Sequence, residues 1–391
     1  MPIRMSLDVS ALLGPKAQKC SNLSLLADKF PDLSDPDEKD EETRARFVRR
    51  LLDVKSDPAW KDARLGFPHA IGARATTSFQ ARLQGRLIVN QAGGVVENAG
   101  LCLDRHFGVP YIPGSALKGI SRAAALESTA SASDLPAILA VFGWGAADPY
   151  LKQIDAPSGA LSSGFAGSVS FLPAYPTGAV QLCADIVTCH HPDYYRSDDS
   201  SRRALDIENP IPNIFPAVET GCDFVFVLAL CLTETRMRHL RKSLSLPAEF
   251  DPLQNARDWL ILALTDHGAG AKTAAGYGWF QFDAEAEARR DQAREKEREQ
   301  QERLRRQQQA RAERLAGMTP VERAREQISG LGDEAFSHFA RELDGKSEPE
   351  QRAFFQVLRT ERASRLKMWK KKRSSRWESI RKVAENLGEE L

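Results

Sequence analysis

Between Phe79 and Asn90 (FQARLQGRLIVN) the chain alternates, with Leu83, Leu87 and Val89 on one face and Arg82, Gln84 and Arg86 on the other. A period of two predicts a half-buried strand whose two arginines face water or a ligand. After a turn at Gly93-Gly94, Pro110 and Pro113 hold an extended arm. Ser115 is placed to cap a helix carrying Leu117, Ile120 and Ala124 as its apolar stripe. Lys118 and Arg122 lie four apart on one side of that helix, near its positive end. Gly167–Pro173 alternates again, and Cys222–Leu232 is almost continuously apolar, as a central strand covered on both faces would be. Asp251-Pro252 starts a second helix with Leu253, Ala256, Leu260 and Leu264 inward, and Gly268 stops it. A glycine-rich loop, GAGAKTAAGYGWFQF, then leads into a last strand. Strand, helix, two or more strands, helix, strand is a ferredoxin-like α+β plan.

The flanks read differently. In residues 1–70, Pro31–Asp40 is an acidic, exposed linker, and Glu42–Val54 has helical spacing with Phe47, Leu51 and Leu52 on one side. Beyond Asp283, Ala284 to Leu315 is rich in helix formers but has almost no apolar face. It is expected to form a solvated single helix, not a coiled coil, because the a and d positions stay polar. From Thr319-Pro320 short helices regain apolar spacing: Val321, Ala324 and Ile328; Phe336 and Phe339; Phe354, Val357 and Leu358; Trp377, Ile380 and Val383. The expected divisions are 1–70, 71–283, 284–318 and an all-helical basic extension over 319–391.

Charge supports a boundary near Asp283. The 391 residues carry 54 Lys and Arg against 53 Asp and Glu, but 28 basic face 32 acidic residues up to Asp283 and 26 face 21 after it. With 42% apolar residues and no run of about 18, disordered, histone-like and membrane-spanning classes are set aside. Six cysteines without CxxC spacing and an N-terminus without a signal pattern point to reduced thiols in a cytoplasmic protein.

Gly268, Gly270, Gly276 and Gly278 surround Lys272 and Thr273. Glycines at this density let backbone amides approach a phosphate, and Lys272 adds a mobile charge; the alternative is a tight turn without a ligand. A P-loop is excluded, since Ala271 stands where GxxxxGK[ST] needs glycine. The helix start at Ser115–Lys118 has free amides and a dipole that favour an anion, or is a plain capped helix with a solvated lysine. Arg82 and Arg86 could track phosphates or form a wet strand face. Arg365–Lys382, with Trp369 and Trp377, combines charge with stacking surface, or else its tryptophans are core. His190, His191 and His267 are the general acid–base candidates. No pattern asks for a metal or another cofactor.

GVPYIPGSALKG at Gly108 followed far downstream by GAGAKTAAGYGWF resembles the RAMP superfamily of CRISPR-associated RNA-binding proteins. Phe142-Gly143, GSVSFLPAYP, DIVTCHHPDYY and NPIPNIFPAVETGCDFVF add to it, over roughly Gly72 to Asp283. The resemblance implies a ferredoxin-like (RRM-related) core in a type III-B effector complex. Such a subunit would hold the 3′ region of CRISPR RNA, near target RNA, other RAMP proteins and small subunits, without catalysis of its own. Ser115, Lys118 and Arg122 match the first motif, and Gly268, Gly270, Lys272, Thr273 and Gly276 the second. Both bends are expected to grip one polyanionic strand. A metal-independent endoribonuclease acting on repeat RNA is the alternative, and Asp104 or Glu97 could occupy the place of a related subunit's cleavage acid.

Overall fold

Helical spacing in the N-terminal region yields α1 (Leu23–Asp28), capped by the Asn22 side chain, and α2 (Asp40–Leu52). The structure, a computed structural model, describes residues 20–29, 40–54, 75–96, 98–129, 131–153, 164–372 and 375–391. Most of the acidic linker and all of residues 55–74 lie outside the described residues, as does Glu97. Leu26, Phe47, Val48 and Leu51 of the two helices bury against Val96 and Ala99.

The alternating segment becomes β1 (Thr76–Leu83), with Phe79, Ala81 and Leu83 inward. The strand ends before the alternation does. Gln84 donates its amide to the Trp279 carbonyl, and Leu87 exchanges backbone bonds with Val218, so this stretch pairs with two different neighbours. Next come α3 (Gly114–Glu127), α4 (Leu135–Phe142), β2 (Val169–Phe171) and β3 (Tyr175–Pro176). A separate antiparallel hairpin follows from β4 (Leu182–Cys189) and β5 (Ile211–Val218), with the short helix α5 (Pro192–Arg196) in its connection. The apolar run forms β6 (Asp223–Leu230), then α6 (Glu234–Ser243) and α7 (Pro252–Leu262). Asp251 caps α7 by accepting from Leu253 and Gln254. The helix runs on through a wider turn at Ala263–His267 to Gly268, ahead of β7 (Phe280–Gln281).

Within the main sheet the order is β2-β6-β1-β7, with β3 also on β6, and every pairing is antiparallel. Each strand–helix–strand passage therefore skips over one strand. The central position of β6 explains its unbroken apolar run. Phe79 and Phe226 stack across the central pair at 5.1 Å, and Phe280 meets Phe224 and Phe226 edge-on. Leu117 and Ala125 of α3 and Ala256 and Leu260 of α7 close over these rings. Each such fully buried large side chain contributes about 1.5–3 kcal/mol.

Residues 1–287 and 288–391 form two compact units. The second contains most of α8 (Ala284–Gly317). It continues through α9 (Pro320–Ser329), α10 (Asp333–Arg341), α11 (Glu348–Thr360), α12 (Ala363–Lys372) and α13 (Ser375–Leu387). Capping boxes at Thr319/Glu322 and Ser347/Glu350 start α9 and α11. Its own core holds Phe336, Phe354, Val357, Ile380 and Val383. Trp369 is only 2% exposed and stacks on Phe336, so it is core and not a stacking platform for bases.

Candidate nucleic-acid interface

Five positive-φ residues shape the loop after α7. Gly268, Gly270, Gly276 and Gly278 have φ of 75, 92, 90 and 68°, and Lys272 is itself left-handed at φ 59°. Two of these glycines are demanded by close approach. A Cβ on Gly278 would lie 1.8 Å from the Ala269 carbonyl oxygen, and one on Gly270 would lie 2.2 Å from that of Ile88. The loop is laced to the segment beyond β1: Ala271 donates to Ile88, Gly278 donates to Arg86, and Ala269 donates to Gly278, each at 2.8 Å. Ala275 and Gly276 close a short turn onto Lys272 and Thr273. The Trp279 indole donates to the Thr273 carbonyl at 2.9 Å, while its ring remains 37% exposed.

Among the described residues, the amides of Gly270, Lys272, Thr273 and Ala274 donate to no protein acceptor. Neither Lys272 nor Arg82 has an acidic partner there. Arg82 is exposed and pairs by register with Gln281 of β7, the strand into which the loop runs. The tertiary structure thus gathers Lys272, Thr273, Trp279 and a row of unengaged amides in one loop at the β7 edge of the sheet, while the Arg82 guanidinium reaches toward Gly221 in the turn between β5 and β6. Left-handed backbone around such amides is an anion-binding arrangement.

This loop and the PGSALKG segment lie within residues 70–281, which match the sequence model of the RAMP superfamily. The chain belongs to the RAMP superfamily. No curated protein matches the sequence. Among solved structures, this RAMP chain is similar to one described as the cryo-EM structure of the type III-B Cmr-beta bound to cognate target RNA. That likeness has 15% identity over 64% of this chain and 78% of the other, with TM-score 0.39. It is also similar to Cmr6 from Pyrococcus furiosus, at 23% identity over 54% of this chain and 98% of that one, TM-score 0.29. A type IV-B CRISPR complex chain has 11% identity over 54% and 91% of the two chains, TM-score 0.31.

The first RAMP motif is placed elsewhere. Lys118 donates to the Ala166 carbonyl at 2.6 Å, just before β2, the edge strand opposite β7. Three strand spacings, roughly 14 Å, separate those edges. The two bends therefore do not meet at one point. Burial holds the Lys118 ammonium below its ordinary pKa, and Arg122 is bound to Asp148 at 2.7 Å with its guanidinium over Tyr150. Ser115 is exposed but is not the cap: Pro113 takes that position with extended backbone, because its fixed φ suits the entry to the helix.

Arg86 is near the loop but occupied. It binds Asp185 at 2.9 Å and approaches Glu219 at 3.7 Å, bonds that raise its pKa further, the Asp185 hydrogen bond foremost. Tyr277, inside the loop, donates its hydroxyl to the same Asp185 oxygen at 2.6 Å. Burial alone would raise the Asp185 carboxyl. Hydrogen bonds from Tyr277, Arg86 and the Ile186 amide outweigh that and hold it below the ordinary carboxylate range. Burial and Asp185 in turn push the Tyr277 phenol up to about 12. This knot ties the loop to the β4–β5 hairpin. The sequence reading missed Asp185, Glu219 and Tyr277; the only local sign was an acid alternating along β4.

Asp104 is 6% exposed and accepts from the amides of His106 and Phe107 and from the Tyr175 hydroxyl, so it shapes its own loop. His267 lies 3.5 Å from Glu127 at the end of α3. His190 is exposed just after β4, and the Nδ1 of His191 is buried without a partner. Among the described residues no three His, Cys, Asp or Glu side chains form a metal-ligand group, and no helix is long and apolar enough to cross a membrane.

Proposed function

We propose that this protein is a non-catalytic CRISPR RNA-binding and assembly subunit of a type III-B effector complex in the cytoplasm. It would hold the 3′ region of the guide beside target RNA, other RAMP subunits and small subunits. The observation that carries this reading is the set of four unengaged amides around Lys272 in one loop, with Arg82, on the neighbouring strand, as a second cation without an acidic partner among the described residues. Backbone amides recognise phosphate oxygens whatever the base, which suits guides of variable sequence. Trp279 offers a ring face to a neighbouring base. The core is read as ferredoxin-like over 71–283: the order β7-β1-β6-β2, with α3 and α7 as the crossings, supports that plan. The N-terminal segment 1–70, the charged helix over 284–318 and the extension over 319–391 are read as the remaining parts.

Ser115, Lys118 and Arg122 belong to this proposal as a second patch along the same strand of RNA, with Lys118 and Arg122 reaching phosphates only if they release their present partners. The test is binding of a fluorescein-labelled single-stranded RNA across a salt series. Replacing Lys272 and Arg82 together by Ala should weaken binding equally for guides of different sequence and lower the salt slope by roughly 1.4, at about 0.7 per phosphate contact. An unchanged slope in the folded double variant would reject the loop as the phosphate site. Specific cleavage of repeat RNA in EDTA, abolished by His267→Ala, would reject the non-catalytic reading.

A further inference from the structure

At the end of the sheet where β6 finishes, α6 borders a cavity of about 520 Å³, within the range of specific pockets. Trp144, Phe165, Leu232 and Leu240 supply its apolar wall, and Arg236 and His239 stand at its rim. Trp144 and Phe165 are locked as an antiparallel backbone pair with ring centroids 4.8 Å apart, so the wall is preformed. The glycine loop lies at the other end of β1, about 26 Å away along eight residues of strand.

Exposed charge on α6 is mostly basic, with Glu234 as its one acid. Arg236, Arg238, His239 and Lys242 are exposed, and among the described residues none of Arg236, Arg238 and Lys242 has an acidic partner. Arg241 alone is engaged, through the Phe250 carbonyl and at the limit of reach with Glu234. Helix stability does not account for this pattern. Lys242 suits the negative end of the dipole, but Arg236 sits in the first turn, where a cation is unfavourable. Arg238 and Lys242, four apart, repel one another. Cations placed against their own helix and left unpaired call for negative charge from outside.

We propose that this cavity is a docking site for an acidic segment of a partner protein, which inserts one bulky apolar side chain between Trp144, Phe165 and Leu240 while its carboxylates meet Arg236 at the rim and run on along the flank of α6 that carries Lys242 and Arg238. An apolar anchor in a pocket with a charged rim is the usual make-up of a protein interface hot spot. A nucleobase fits less well, because the wall offers few polar atoms to its hydrogen-bonding edges.

The test is selection of random displayed dodecapeptides on the full chain, with the triple variant Arg236→Glu, Arg238→Glu, Lys242→Glu as the counter-target. The best peptide is then titrated by fluorescence anisotropy. Enriched sequences should be acidic with one Trp, Phe or Leu. Their affinity should fall at least about tenfold in the triple variant and in Ser243→Trp, which fills the cavity from its lip, and should be unchanged in Lys272→Ala. Thr235→Trp serves the same purpose should Ser243→Trp melt early. Neutral or basic consensus sequences, no enrichment over the counter-target, or equal affinity for the filled variants would overturn the proposal. So would a single-stranded RNA whose affinity collapses in the triple variant while peptide binding does not, which would assign the face to nucleic acid.

Discussion

Gly276 and Gly278 are two residues apart in one loop, both with positive φ, and they should respond very differently to alanine. At Gly276, with φ 90°, a Cβ would meet nothing within 4 Å, so Gly276→Ala carries only the left-handed backbone penalty, roughly 1–2 kcal/mol. At Gly278, with φ 68°, the Cβ would lie 1.8 Å from the oxygen and 2.9 Å from the carbon of the Ala269 carbonyl, which are backbone atoms that no rotamer change removes. Relief requires parting Ala269 from Gly278 and Gly278 from Arg86, two bonds of 2.8 Å worth about 0.5–1.5 kcal/mol each. Adding the conformational penalty gives roughly 2–5 kcal/mol, about twice the Gly276 figure. Urea unfolding of both variants, read from tryptophan fluorescence and far-ultraviolet circular dichroism, measures the difference. RNA binding by Gly276→Ala should stay close to wild type, because the amides of Gly270, Lys272, Thr273 and Ala274 are untouched. Equal destabilisation by the two substitutions would refute the account of the loop as held by close backbone approach.

Other outcomes can be checked separately. Lys118→Ala should lower the salt slope of RNA binding less than Lys272→Ala, which should lower it by about 0.7, because Lys118 reaches a phosphate only on releasing the Ala166 carbonyl; a salt series on the single variants decides. Tyr277→Phe should cost about 1.5–3 kcal/mol at neutral pH, because it removes a hydrogen bond to a carboxylate. Asp185 has a lowered folded pKa, so its contribution is present above the ordinary value of 3.8 and disappears as pH falls through the folded value. The gap between wild type and Tyr277→Phe in pH-resolved unfolding should close below that point. Trp369→Ala should cost about 3–5 kcal/mol and lower the helical signal of residues 288–391, whereas a base-stacking tryptophan would leave the helix content intact and reduce RNA binding.

The periodicities along the chain were enough to locate the elements of the core, because each rests on a local rule. Alternation marked β1, the unbroken run marked β6, and the Asp251-Pro252 start marked α7. The glycine-rich loop declared itself through composition, since left-handed backbone is cheap only for glycine. Four separate apolar sets likewise anticipated α9, α10, α11 and α13. Tertiary structure decided what these elements do for one another. Arg82 and Arg86, equivalent by alternation, part company because β1 ends between them: Arg82 stays exposed, reaching toward Gly221, and Arg86 turns to Asp185, a residue 99 positions away in sequence. Lys118 and Lys272, both flagged by glycine-flanked motifs, end at opposite edges of one sheet because β6 and β1 intervene between β2 and β7. Sequence left Trp369 open between a partner for bases and a core residue, and helix packing sets it against Phe336. Local sequence specifies backbone shape and the side that is buried; which charges are neutralised depends on chain segments brought together across long sequence separations, and no local pattern carries that information.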